Sequence, residues 1–279
     1  MGTLTGRPGG GQKQRLETAL LLRAYSAGLF PMADTREATD VFWVEPRRRG
    51  ILPLAEFHLS RSLAKVLKQE RFLHTCDMAF GAVINACAEA APGREQSWIN
   101  GSILDAYSRL HAEGHAHSIE TWDQDGRLVG GLYGVRLGAA FFGESMFSRA
   151  TDASKAALAH LVARLRLGGF QLLDTQFLTA HLARFGAMEV KRGQYLAMLD
   201  QAVMRPADWG LLDREGGQLC SDREGGQVSG VVAGAGAAGV SGFAGAGFGA
   251  FLPLELPVEL LGALGPSGKR IVQLLSQTS

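Results

Sequence analysis

Two spacings of apolar residues alternate along the chain and divide its first two hundred residues into helices and strands. Residues 16–27 carry apolar positions at helical spacing and stop at Gly28, ahead of Phe30-Pro31. Residues 60–69 repeat the pattern, with Leu63, Val66 and Leu67 on one side and Arg61, Lys65 and Lys68 on the other. Residues 78–90 form a third helix with Phe80, Val83, Ile84 and Cys87 inward, and residues 103–113 a fourth, ended by Gly114. The glycine-containing apolar run 128–135 turns at Arg136-Leu137-Gly138 into the run 139–142, which predicts a β-hairpin. A helix follows, with Ala153, Ala156, Ala157, Leu158, Leu161, Val162 and Leu165 in phase from a Thr151-Asp152 start to a Gly168-Gly169 stop. Residues 170–174 then read as a short buried strand, and residues 41–54 as extended chain around a turn at Pro46-Arg47-Arg48-Arg49-Gly50.

The order strand, strand, helix, strand predicts an α/β (α+β) layer in which the helix covers one sheet face and strand ends carry the chemistry. Glu144, Asp174 and Gln176 lie at such ends. An unpaired buried carboxylate is costly, so both acids are expected to be solvated in a cleft, hydrogen-bonded or paired with a cation. Taken singly, each is as well explained as a surface or capping residue.

Composition narrows the class without naming it. With 279 residues, 46% of them hydrophobic and 20% charged, the chain can build one or two globular domains with a real core. A net charge of +1 leaves any nucleic-acid contact to a local basic patch. Cys76, Cys87 and Cys220 show neither metal-ligand spacing nor an even disulfide framework, which indicates a reducing compartment. With no signal-type apolar start and no apolar helix long enough to span a bilayer, the expected location is the cytoplasm, away from the membrane. Residues 1–14 are Gly-rich and expected to be disordered. Residues 201–250 form a linker whose later part is dominated by Gly, Ala, Val and Ser, and residues 251–279 a tail that regains apolar character.

Other chemistry-bearing residues fit structural roles. His111 and His115 have the i, i+4 spacing of metal ligands with His117 two residues on, yet Gly114 breaks the helix between them and no acid or cysteine completes a site. Ser145 stands in a segment like a nucleophile elbow that lacks the second glycine.

Several ordered blocks between residues 16 and 199 carry a resemblance to a known family. They are Ala24-Tyr25-Ser26-Ala27-Gly28-Leu29-Phe30-Pro31, Phe57-His58-Leu59-Ser60-Arg61-Ser62, Ser97-Trp98-Ile99, Ala106-Tyr107-Ser108-Arg109-Leu110-His111 and Gly114-His115-Ala116-His117-Ser118-Ile119-Glu120. Val129-Gly130-Gly131-Leu132-Tyr133-Gly134, Gly143-Glu144-Ser145-Met146-Phe147-Ser148-Arg149 and Ala153-Ser154-Lys155 continue the series. In these blocks the chain resembles the bacterial leucyl/phenylalanyl-tRNA-protein transferases. The resemblance implies a small N-terminal domain, here residues 15–75, and a catalytic domain of acetyltransferase-like (GNAT-like) fold, here residues 76–200. It implies transfer of Leu or Phe, less readily Met, from aminoacyl-tRNA to proteins with N-terminal Arg or Lys. The product would be marked for the N-degron pathway of ClpS and ClpAP. No cofactor and no metal are implied, and the expected state is a monomer.

Carried over residue by residue, the resemblance makes Glu144, Asp174 and Gln176 the reaction centre, with Gln176 positioning the attacking amine and Asp174 assisting electrostatically. Trp98 matches a tryptophan that stacks on the terminal adenosine. Met32 stands where some members have a second tryptophan, so a two-sided aromatic clamp is not expected. Leu132, Phe141, Met146, Leu161 and Leu173 are apolar residues of the catalytic layer, several of which are candidates to line the side-chain pocket that the resemblance implies, and each is equally well read as ordinary core. Arg61, Lys65 and Lys68, with the Arg47 to Arg49 run nearby in sequence, are candidates for phosphate contact with the tRNA. Two rivals remain. A coenzyme-A-dependent acetyltransferase fits the element order, but its pyrophosphate loop is missing before the 154–167 helix; a non-catalytic tRNA- or peptide-binding module would keep the basic helix and the pocket.

Overall fold

The computed structural model describes residues 15–90, 96–214 and 265–277. Seven strands form one sheet. In chain order they are β3 (Arg48–Ile51), β4 (Leu73–Cys76), β5 (Ala116–Trp122), β6 (Leu128–Leu137), β7 (Ala140–Ser148), β8 (Leu172–Gln176) and β9 (Met188–Lys191), arranged β4-β5-β6-β7-β8-β3-β9. A separate two-stranded sheet pairs β1 (Phe30–Met32) with β2 (Phe42–Val44). The mixed α/β class expected from the sequence holds: a small N-terminal region packs on a domain built around the large sheet. That sheet draws strands from both sides of residue 75, since β3 and β4 belong to it.

Helices cover both faces. On one face lie α1 (Thr18–Ser26), α3 (Phe80–Ala88), α4 (Gly101–Ala112) and α7 (Arg192–Val203), whose core includes Tyr25, Ile84, Tyr107, Phe142 and Tyr195. The other face holds α2 (Arg61–Lys68), α5 (Ala153–Leu167) and the C-terminal helix Gly268–Ser276, with Leu63, Leu161, Leu173, Phe141 and Ile271 in its core. A short helix, α6 (Ala180–Ala183), follows β8. Because both faces are buried, central strands carry few solvated positions: all seven residues of β5 are buried. Helix starts follow local chemistry. Ser60 caps α2 by accepting from Leu63 N at 3.2 Å, and Asn100 caps α4 by accepting from Ile103 N at 2.9 Å.

All strand pairs of the large sheet are antiparallel except β7 with β8, which α5 connects as a crossover. Their pairing runs from Ala140 opposite Leu172 to Phe142 opposite Asp174 and goes no further, although β7 continues to Ser148 and β8 to Gln176. The two strands part there, and the gap between them opens into a cavity.

The turn expected at 46–50 is replaced by strand β3, in which Arg49 is buried and pairs with Val190. The disordered start at 1–14 and the Gly/Ala-rich part of the expected linker lie outside the described residues.

Candidate active site

The cavity beyond the β7–β8 pairing has a volume of about 360 Å³, at the small end for a ligand site. Its wall is mostly apolar: Phe30, Met32, Trp98, Leu132, Met146, Leu158, Leu161, Leu173, Phe177 and Leu182. Polar groups enter from Glu144, Ser145, Thr175, Gln176, Thr179 and His181. The N-terminal region supplies Phe30 and Met32 from β1, and Ala33 N donates to the Trp98 carbonyl at 3.2 Å, which sets the indole beside that strand. Phe177, 47% exposed, meets Phe30 edge to face with ring centroids 5.7 Å apart.

Register shifts aim the two central polar side chains. Along β7, Tyr133 pairs with Ser145 but Gly134 pairs with Gly143, so Glu144 is the extra residue of a bulge. Along β8, Ile51 faces Asp174 and Gly50 faces Gln176, which leaves Thr175 extra. Gln176 completes that irregularity with φ of 56°, a left-handed conformation that costs a non-glycine residue about 1–3 kcal/mol. Its own amide holds it there by donating to Asp174 Oδ1 at 2.7 Å. Gly50 makes room: a Cβ there would stand 2.7 Å from the Phe177 carbonyl carbon.

Glu144 is 7% exposed and accepts three hydrogen bonds. Tyr25 donates to Oε1 at 2.7 Å, Gln176 Nε2 to the same oxygen at 2.9 Å, and Tyr107 to Oε2 at 3.1 Å. Burial pushes its carboxyl up to about 7, against the opposing pull of the two tyrosine hydrogen bonds. Burial and the charge of Glu144 also raise both phenols, which keeps them protonated as donors, and the two hydroxyls touch one another.

Asp174, fully buried, is bound by a guanidinium. Arg49 Nε donates to both carboxylate oxygens at 3.0 Å and Nη2 to Oδ2 at 2.7 Å, a forked geometry among the stronger kinds of ion pair. Tyr195 adds a hydrogen bond to Oδ2 at 2.6 Å. Arg49 is itself held by the Gly28 carbonyl at 2.9 Å and lies between the rings of Phe30 and Tyr195, at 4.6 and 4.7 Å. Burial alone would lower its proton affinity, but the Asp174 carboxylate outweighs it and the net shift is upward.

The candidates for the reaction centre and all but one of those for the pocket converge here, while the cations of α2 lie apart from it. Glu144, Asp174 and Gln176 form one hydrogen-bonded chain, while Trp98, Met32, Leu132, Met146, Leu161 and Leu173 all line the cavity. Phe141 is corrected: fully buried beside the cavity wall, it stacks on Trp209 with centroids 5.3 Å apart and is core. Arg49 is corrected as well. At 1% exposure and bound to Asp174 it is unavailable to a phosphate, whereas Arg47 and Arg48 are exposed. Arg61, Lys65 and Lys68 project from α2 into solvent.

Sequence reasoning missed Arg49 and the tyrosines. The chain has four tyrosines, and three of them bind the two carboxylates. A phenol on the buried face of a helix is the signal available, because it needs a partner inside. Two of the three clustered histidines are occupied elsewhere: His111 Nδ1 meets the Ala116 carbonyl at 2.8 Å and His117 Nδ1 meets Asp77 Oδ2 at 2.7 Å. Among the described residues, no cluster of three or more His, Cys, Asp or Glu side chains is placed to hold a metal ion.

A family model described as leucyl/phenylalanyl-tRNA protein transferase matches residues 51–200, and that of the family's N-terminal domain matches residues 14–47. The leucyl/phenylalanyl-tRNA–protein transferase of Rhizorhabdus wittichii is 63% identical over 188 residues, covering 67% of this chain and 75% of that protein. Its counterpart from Zymomonas mobilis subsp. mobilis is 57% identical over 205 residues, covering 71% and 76%. The solved structure of L-PGS from Bacillus licheniformis aligns with 65% of this chain and 69% of that one at 9% identity and a TM-score of 0.38, too distant to argue from. The family models and the two relatives define an aminoacyltransferase, and the strands and helices give it a mixed α/β fold. The chain belongs to the leucyl/phenylalanyl-tRNA protein transferase family.

Proposed function

We propose that the enzyme moves leucine or phenylalanine, and less readily methionine, from aminoacyl-tRNA to the α-amino group of proteins beginning with Arg or Lys. The products would enter the N-degron pathway. One observation carries the reading: an apolar cavity of side-chain size ends on a hydrogen-bonded carboxylate and amide, where a leucyl group would bring its ester carbonyl. Apolar pockets of this kind separate near-isosteres by only about 1–3 kcal/mol, which suits an enzyme accepting several apolar side chains.

The ester is already activated by its tRNA linkage, so the site's work is orientation and proton handling. Attack forms a C–N bond and breaks the ester C–O bond; the amine gives up one proton and the ribose oxygen takes one. Gln176 donates its amide N–H to Glu144, which leaves its amide oxygen to accept from the incoming amine. An amide is a poor base, so Gln176 positions the amine. Glu144, with its proton affinity moved to about 7, is the group suited to take a proton transiently at neutral pH. Asp174 holds the Gln176 backbone in its left-handed turn and is in turn fixed by Arg49. Trp98 and Met32, which line the cavity, would pack on the terminal adenosine, and the exposed cations of α2 would meet tRNA phosphates.

The test is transfer of labelled leucine, phenylalanine and methionine from their tRNAs to peptides that differ only in the first residue. Transfer to Arg- and Lys-starting peptides and little to Ala-starting ones is expected. Equal labelling of all three peptides, or none of any, would reject the acceptor assignment.

A further inference from the structure

The C-terminal helix Gly268–Ser276 lies outside the segments matched by the family models, yet it is built into the domain beside α2. Ile271, Val272 and Leu275 are buried in the same core as Leu63 and Leu67 of α2. Gly268 sits so close to α2 that a Cβ there would stand 2.0 Å from the Leu67 carbonyl oxygen. At the other end, Arg166 of α5 donates to the Leu275 carbonyl at 3.1 Å and to the Leu54 and Ala55 carbonyls at 2.6 and 2.9 Å. That guanidinium ties the end of the last helix to the segment leading into α2. Before the helix, Gly265 N donates to the His74 carbonyl at 2.7 Å.

The docking has an electrostatic consequence. Gly268 packs on the Leu67 carbonyl, and the residue that follows each of them, Lys269 in the last helix and Lys68 in α2, is exposed, so the last helix brings a further exposed cation to the end of α2 that carries Lys65 and Lys68. Among the described residues none of Arg61, Lys65, Lys68 and Lys269 is in an ion pair, whereas Arg127, Arg149 and Lys155 are paired with Asp125, Glu89 and Asp152. Unneutralised cations on a rigid two-helix face suit a phosphodiester backbone.

We propose that the C-terminal helix is the second half of the tRNA-binding face. It fixes the position of α2 through Gly268 and Arg166, and it adds Lys269 as a phosphate contact. The inference rests on the reading of α2 as the tRNA-binding helix.

The test uses the full-length chain with two donors: leucyl-tRNA, and a minimal leucyl ester of adenosine that reaches the cavity without touching α2. Lys269→Glu is expected to weaken leucyl-tRNA binding by about 3- to 10-fold and to lower the salt slope of log affinity by about one, with the minimal donor used at the wild-type rate. Gly268→Ala, which forces the helices apart, is expected to raise KM for leucyl-tRNA and again to spare the minimal donor. Unchanged tRNA affinity and salt slope in Lys269→Glu would overturn the inference even if Gly268→Ala failed to fold. Equal losses with both donors would overturn it too, because the helix would then act through the core. Lys65→Glu, measured alongside, separates the two levels: if it leaves tRNA affinity intact, α2 is not the tRNA face; if it weakens binding while Lys269→Glu does not, only the role of the last helix falls.

Discussion

Replacing Glu144 by Gln removes a buried titrating group while keeping its shape and one acceptor oxygen, and the effect on stability is calculable. The folded protein holds this carboxyl's proton up to about pH 7, while the ordinary value is 4.5. Between those values the native state binds more protons than the unfolded chain, so stability falls as pH rises through the window and levels off above it. At about 1.4 kcal/mol per pH unit, the full interval corresponds to about 3 kcal/mol. His74 works in the opposite direction. Burial pulls it from 6.5 to about 4, so its protonation destabilises the fold as pH falls through that range and flattens the wild-type profile. The informative quantity is therefore the difference between wild type and Glu144→Gln, measured by urea unfolding at several pH values from 5 to 8. Wild type should lose most of the 3 kcal/mol relative to the variant as pH rises. Parallel curves would mean that Glu144 titrates as an ordinary surface acid and would remove it as a proton acceptor near neutral pH.

Arg49→Ala should cost about 3–5 kcal/mol, because it strands the buried Asp174 carboxylate; chemical denaturation reads the loss, and a change below 1 kcal/mol would contradict the pairing. Leu161→Ala, at a buried position in the cavity wall, should destabilise the fold by about 2–5 kcal/mol and shift the donor preference from leucine toward phenylalanine, as competition between the two charged tRNAs would show. Lys65→Glu should weaken tRNA binding and flatten its salt dependence by about one in log–log slope, without altering thermal stability.

Local periodicity was a good guide to the helices. The expected spans 60–69 and 103–113 correspond to Arg61–Lys68 and Gly101–Ala112, and the helix after Asp152 runs Ala153–Leu167. Capping and glycine stops mark such ends in the chain itself. Pro46 and Gly50 signal a turn locally, while the pairing that makes β3 a strand, with β8 and β9, comes from far along the chain. The same distance hid the Arg49–Asp174 pair, 125 residues apart, and the meeting of Tyr25 and Tyr107 at Glu144. The bulge that aims Glu144 and the left-handed turn at Gln176 have no period to betray them. Phe141 shares the apolar pattern of the pocket candidates, but its ring is turned onto Trp209, a contact the chain does not announce.

The central claim is that the Glu144, Gln176 and Asp174 chain beside the cavity orients the attacking amine. A single-turnover measurement of leucine transfer from tRNA to an Arg-starting peptide, made on wild type and Gln176→Ala with leucyl-tRNA affinity measured in parallel, tests it most directly. A transfer rate lowered by about 100-fold or more at unchanged affinity is the expected result; a wild-type rate in Gln176→Ala would contradict it.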